Sequence, residues 1–202
     1  MSTLAVSGAL FGRTDVARLL NIPQWLLANF ADRRYPYGLA PSVSGGKGRG
    51  KKSLYTLADV YKIATAYRMW SGGLGARVIG DAVKKLFPPA KNPMEVAVRE
   101  RAADEMDARY ALIDLFQLAK ETFVTGLPDN SRPVPPEWKG KASSTQREWV
   151  ALRSRKVIAE DWQRGKLRPL IAIPFDETMN WVDSQVLGRE VTFARSTETK
   201  KR

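Results

Sequence analysis

Apolar residues in the first third of the chain recur at helical spacing and are punctuated by turn residues. Val16, Leu19 and Leu20 fall at i, i+3, i+4 beside Asp15, a carboxylate suited to a helix's first turn, and predict a short amphipathic helix from Thr14 to Leu20. Asn21-Ile22-Pro23 predicts a tight turn. Gln24 to Arg34 predicts a second helix, with Trp25 or Leu26, Leu27 and Phe30 inward and Gln24, Asn29 and Arg33 outward. Pro36, Gly38 and Pro41 impose extended or turning backbone, and Ser53-Leu54-Tyr55 reads as the returning strand of a small hairpin. Thr56 and Asp59 have capping-box spacing ahead of a helix with Val60, Ile63, Ala64 and Tyr67 on one face. Gly72, Gly73 and Gly75 interrupt it, and Val78, Ile79, Ala82, Val83 and Leu86 mark a further helix stopped by Pro88-Pro89.

Asn92-Pro93-Met94-Glu95 combines a cap, a first-turn proline and a following glutamate, and predicts a long helix over 91–125. It carries two apolar stripes, Val96, Ala103, Met106, Tyr110, Ile113 and Leu112, Phe116, Ala119, Phe123, one of which suits a partner chain. Glu100, Asp104, Glu105 and Asp107 alternate there with Arg99, Arg101 and Arg109, as on a salt-bridged solvent face. Residues 126–144, with Pro128, Pro133, Pro135 and Pro136, read as a linker. Thr145 and Glu148 predict a capping box opening a helix to about Arg164, Leu170-Ile171-Ala172-Ile173 predicts a short strand, and Asp176 predicts the cap of a last helix ending at Gly188. Residues 1–10 are an N-terminal arm and 189–202 a basic tail. Trp149, Trp162 and Trp181 are expected in the core of the 145–188 unit rather than around an effector pocket.

Composition sharpens this outline. The 202 residues are 44% hydrophobic, enough for a packed core. The formal charge of +12 is uneven: residues 1–90 hold 13 basic and 4 acidic residues, a net +9, and residues 91–202 hold 20 and 17, a net +3. Attraction to polyanions therefore belongs to the N-terminal half, in a loop and at helix ends rather than along one face of a membrane-surface helix. No apolar run approaches the roughly 20 residues of a membrane span, and the first dozen residues lack the basic front and cleavage site of a secretory signal. With neither His nor Cys, zinc fingers, thiol sensors, Ser-His-Asp triads and Cys-His nucleophiles are excluded. No catalytic residue, cofactor or metal is expected.

Gly45-Gly46-Lys47-Gly48-Arg49-Gly50-Lys51-Lys52 approaches a nucleotide-binding P-loop. It fails where Lys52 replaces the magnesium-binding Ser or Thr, and no apolar strand precedes it. A DNA-contacting basic loop is the better reading, with Lys47, Arg49, Lys51 and Lys52 on phosphates. Gln24 and Asn29 suit adenine edges, and Arg33 and Arg34 suit guanine or phosphate. Trp25 fits either the core or a base. Tyr55 is expected to pack at the base of the loop and offer its hydroxyl to a phosphate, and Thr14 completes the candidate contacts.

Asp15-Val16-Ala17-Arg18-Leu19-Leu20, Asn21-Ile22-Pro23 and Leu54-Tyr55-Thr56-Leu57-Ala58-Asp59-Val60 together resemble the MerR-type winged helix over roughly residues 11–86. The chain departs from the family's Arg-Tyr pair at Ala28-Asn29 and from its wing arginine at Ser53, which moves phosphate contacts to the loop cations. The resemblance implies a mainly α fold with a small β wing: a winged helix-turn-helix over 11–90, then a helical C-terminal region containing one short strand. It further implies a homodimeric, sequence-specific transcriptional regulator on double-stranded DNA, cytoplasmic and nucleoid-associated, with RNA polymerase as a further candidate partner. Two alternatives stay open: a phage-type DNA accessory protein, such as an excisionase or small terminase-like factor, and a winged-helix module that binds protein.

Overall fold

A computed structural model describes residues 10–32, 34–43, 53–88, 108–115, 118, 149–165 and 170–198. The first helix, α1 (Arg13–Leu19), starts at Gly12, whose N–H donates to the Asp15 carboxylate at 3.2 Å. It ends in a left-handed residue, Asn21, with φ 47°. Ile22 N–H reaches back to the Ala17 carbonyl (2.8 Å) and Asn21 N–H to that of Arg18 (3.4 Å). This pair of reversed bonds is a Schellman turn, and asparagine tolerates its conformation better than most side chains. Pro23 then leads into α2 (Gln24–Ala31), which packs Leu26, Leu27 and Phe30 against Val16, Leu19 and Leu20 of the first helix and its turn. The second helix stops three residues short of Arg34, because Asp32 is already extended.

Strand β1 (Leu10–Phe11) pairs antiparallel with β2 (Tyr55–Thr56), placing Phe11 opposite Tyr55. Val43 and Leu54 exchange backbone hydrogen bonds at 3.2 and 2.9 Å, a single bridge that closes the chain around residues 44–52, which lie outside the described residues. Helix α3 (Leu57–Ser71) follows directly. Its start is the expected capping box: Asp59 N–H donates to Thr56 Oγ1 at 3.2 Å, and Thr56 N–H donates to Asp59 Oδ2 at 2.9 Å. Helix α4 (Ala76–Leu86) buries Ile79, Ala82, Val83 and Leu86 as the periodicity predicts.

The second half departs from expectation. Arg109–Asp114 is not part of a long helix but a strand, β3, at the centre of a three-stranded antiparallel sheet. It is flanked by β4 (Val150–Ser154) and β5 (Leu170–Pro174), with Ala111 opposite both Leu152 and Ile173. Arg109, Ala111 and Ile113 are buried alternately with the half-buried Tyr110, Leu112 and Asp114, the period of two that a strand requires. Over six residues that period coexists with a helical stripe, and cross-strand pairing decides between them. Arg109 accordingly leaves the proposed solvent face: its guanidinium and backbone N–H both bond the Asp176 carboxylate, a buried pair at 2.6 Å. The strand expected in this half, Leu170–Ile173, is present as β5, but it is one of three.

Two further boundaries move. The helix expected from Thr145 begins only at α5 (Arg155–Gln163), capped by Ser154, because 150–154 is strand. The last helix, α6 (Phe175–Glu198), continues past Gly188 into the segment read as a tail. Asp176 lies in its first turn and bonds Arg109. Trp149 is buried and Trp181 packs on the core as expected, but Trp162 is 73% exposed. The apolar stripes read as a dimer seam lose Tyr110, Leu112 and Ile113 to the chain's own sheet, so that argument for a dimer does not stand; Val96, Ala103, Met106, Phe116, Ala119 and Phe123 lie outside the described residues.

Both halves share one hydrophobic core, running from Val16 through α3 and α4 to Ile113, Phe175 and Val186. Across it, the Tyr61 hydroxyl of α3 donates to Asp183 of α6, and the Arg68 guanidinium lies 5.5 Å from the Trp181 ring centre. Gly80 of α4 lets the Pro36–Tyr37 segment lie against the helix: a Cβ there would stand 2.0 Å from the Pro36 carbonyl oxygen. Gly80→Ala is therefore expected to lower stability by about 1–3 kcal/mol through overpacking, outweighing the roughly 1 kcal/mol that alanine gains inside a helix. Urea unfolding of the two proteins checks this, and an equal or higher midpoint for the variant would refute it.

Candidate nucleic-acid interface

The second helix of the α1–α2 pair buries one side and offers the other to solvent. Gln24 and Trp25 are exposed and Asn29 is half-exposed, so three candidate base readers fall on accessible positions of one short helix. Pro23 provides no side-chain acceptor at its start, so the first-turn N–H groups of α2 are without a side-chain cap. Thr14, in the first turn of α1, is also exposed.

Trp25 is not a core residue. It is 58% exposed, and its ring meets Trp70 edge to face, centroids 6.1 Å apart and planes at 75°. Trp70 in turn stacks on Tyr67 at 6.1 Å and 15°. The end of α3 thus lies beside the start of α2. Tyr67 and Trp70 were not legible as part of this surface, because Tyr67 fits the inward stripe of α3 and Trp70 precedes only a glycine turn.

The loop-closing segment is held from beneath. Asp59, 5% exposed, accepts from Ser42 N–H at 3.0 Å and from the Ser42 hydroxyl, in addition to its capping bond with Thr56. One carboxylate therefore binds the chain on both sides of residues 44–52. Lys47, Arg49, Lys51 and Lys52 lie in that segment, and they and Arg33 fall outside the described residues.

Arg34 is highly exposed but engaged. Its Nε and NH2 groups grip Asp32, with NH2 2.7 Å from Oδ2. That hydrogen-bonded guanidinium holds the Asp32 carboxyl below its ordinary value. The pair lies in open solvent, where such bridges contribute little to folding. It leaves Arg34 next to α2 but partly neutralised.

Tyr55 departs from expectation. Its ring is 1% exposed at the base of the loop, opposite Phe11, and its hydroxyl is buried without a hydrogen-bond partner. An enclosed oxygen is not presented to a phosphate. Burial pushes its pKa up, and the nearby cation of Arg13 opposes that shift. Arg13, exposed at the start of α1, is a cation beside this site that no sequence pattern singled out.

Among the described residues no helix is long and apolar enough to cross a membrane. No family model matches the chain, and no curated protein matches it either.

The unpartnered hydroxyl makes a specific expectation for stability. Tyr55→Phe removes a buried group that has lost its water without gaining a partner, so stability at pH 7 should stay level or rise by up to about 1 kcal/mol. A tyrosine pKa raised by folding stabilises the fold fully below pH 10, and that contribution is lost as pH rises through the folded value. The wild type should therefore lose more stability than Tyr55→Phe between pH 9 and 11, as read from urea midpoints. Parallel losses would show that Tyr55 does not titrate in this way.

Proposed function

We propose that the chain is a sequence-specific, double-stranded-DNA-binding transcriptional regulator of MerR-like winged-helix type. In this reading α2 enters the major groove with Gln24, Trp25 and Asn29 toward base edges. The basic segment 47–52 lies on flanking phosphates, as a wing. The observation that carries the reading is the exposed, amide-bearing face of α2. Gln24 and Trp25 are exposed on the solvent face of α2, and Asp59 bonds Ser42 and Thr56 on either side of the basic segment. A net +9 over residues 1–90 supports the same partner. The family's homodimeric habit makes a palindromic site the expected target.

A duplex selected from a random pool should bind with an affinity that falls steeply with salt, the slope increasing by about 0.9 for each phosphate neutralised. Replacing Lys47, Arg49, Lys51 and Lys52 with Ala should weaken binding about equally on all sequences and lower the slope by about one per cation in contact. Gln24→Ala or Asn29→Ala should instead change sequence preference, at about 1–3 kcal/mol on the best site. Gel shifts at graded salt read all three. Absence of binding at low salt would sink the proposal, and a loop variant that altered base preference would invert the assignment of roles.

The Asp32–Arg34 pair gives an independent handle. Asp32→Asn releases the Arg34 guanidinium next to α2, so affinity should rise a few-fold and the salt slope should steepen by roughly 0.9. An unchanged slope would place Arg34 away from the phosphates.

A further inference from the structure

We propose that Trp25 reads the 5-methyl group of a thymine, and that the rings of Trp70 and Tyr67 hold it in position to do so. The inference rests on the DNA-binding reading above and names a specificity determinant within it. An indole that is 58% exposed on a helix of eight residues leaves a large apolar surface in water. A lone surface side chain of this size is mobile, and ordering it on binding costs free energy. Trp25 differs because its ring already rests edge-on against Trp70, and Trp70 is stacked on Tyr67, which packs against the core. The three rings form a ladder from the hydrophobic core to solvent, ending at Trp25.

The chemistry of the ring selects its target. Indole has one N–H donor and no acceptor, so it cannot match a base by a bidentate pair as Asn29 can. Its main resource is a broad apolar face, and thymine's 5-methyl is the apolar group exposed on base edges in the major groove. Asn29 lies four residues further along α2, on the same helix face. Four residues rise about 6 Å, close to two base-pair steps at roughly 3.4 Å each. An adenine facing Asn29 and a thymine facing Trp25 are then one or two base pairs apart.

Exchanging thymine for uracil removes that methyl group and leaves every Watson–Crick contact intact, so the test alters the DNA rather than the fold. The full chain selects a duplex from a random pool, and each thymine of the selected site is replaced by uracil in turn. The wild type should lose about fourfold in affinity at one or two positions, the effect of one methyl-sized group left in water. Trp25→Ala should bind more weakly and no longer distinguish thymine from uracil there, whereas Asn29→Ala should keep the distinction. Trp70→Ala should shrink it with an unchanged salt slope. If the wild type bound thymine and uracil duplexes equally at every position, or Trp25→Ala kept full discrimination, the assignment would be overturned while DNA binding itself stood. If Trp25→Ala left DNA affinity untouched, the ladder would be a surface for a protein partner and the proposal would fail. If no duplex were selected at all, the DNA-binding reading and this inference would fall together.

Discussion

One buried carboxylate organises the N-terminal half. Asp59 caps α3 by accepting the Thr56 N–H and then accepts the backbone and hydroxyl of Ser42, seventeen residues away. Hydrogen bonds to a charged acceptor are individually worth about 1.5–3 kcal/mol, and here they converge on a group with little access to water. Their structural effect exceeds their sum. Ser42 precedes the Val43–Leu54 bridge and Thr56 follows it, so the same side chain sets where the glycine-rich segment leaves the body of the protein and where it returns. Closing a segment at fixed points removes much of its freedom of placement. The orientation of α3, and with it the aromatic ring at its far end beside α2, is tied to the same residue.

Local signals made the helices of the first half legible, but not its strand pairing: Tyr55–Thr56 pairs with Leu10–Phe11, and residues 36–41 form no strand of the expected hairpin. Asn21-Ile22-Pro23 is a turn because the left-handed Asn21 and the back-bonded Ile22 are neighbours in sequence, and a proline follows. The Thr56–Asp59 box is likewise contained in four residues. The second task of Asp59 was not legible, since nothing near it in sequence points to Ser42. The sheet was harder for the same reason. Arg109–Asp114 has a pattern compatible with two periods, and it becomes a strand through β4 and β5, which pair with it across about 40 and 60 residues. Strand formation depends more on such partners than on intrinsic preference.

The candidate site was legible in outline, unevenly in detail. Gln24 and Asn29 are accessible as the helical pattern of Leu26, Leu27 and Phe30 requires. Trp25 was ambiguous because hydrophobicity alone argues for burial, and only the approach of α3 shows that the ring stays outside. Tyr55 illustrates the reverse: a polar tip suggested contact with a ligand, but the pairing of β1 with β2 encloses it. The Asp32–Arg34 grip depends on the chain leaving the helix at Asp32, a boundary that sequence periodicity placed later.

The shared core has a consequence for how such a protein can change over time. Helical N-terminal units are often imagined as detachable modules, exchanged between proteins by cutting and joining genes. Here Leu86 and Phe87 of the N-terminal half are buried, Phe87 meets Phe175 with ring centres 5.6 Å apart, and Tyr61 bonds Asp183. A chain severed after Pro88 would bare these surfaces to water. The two halves therefore cover one another's apolar surface, and a substitution in the sheet is felt by the helices that precede it.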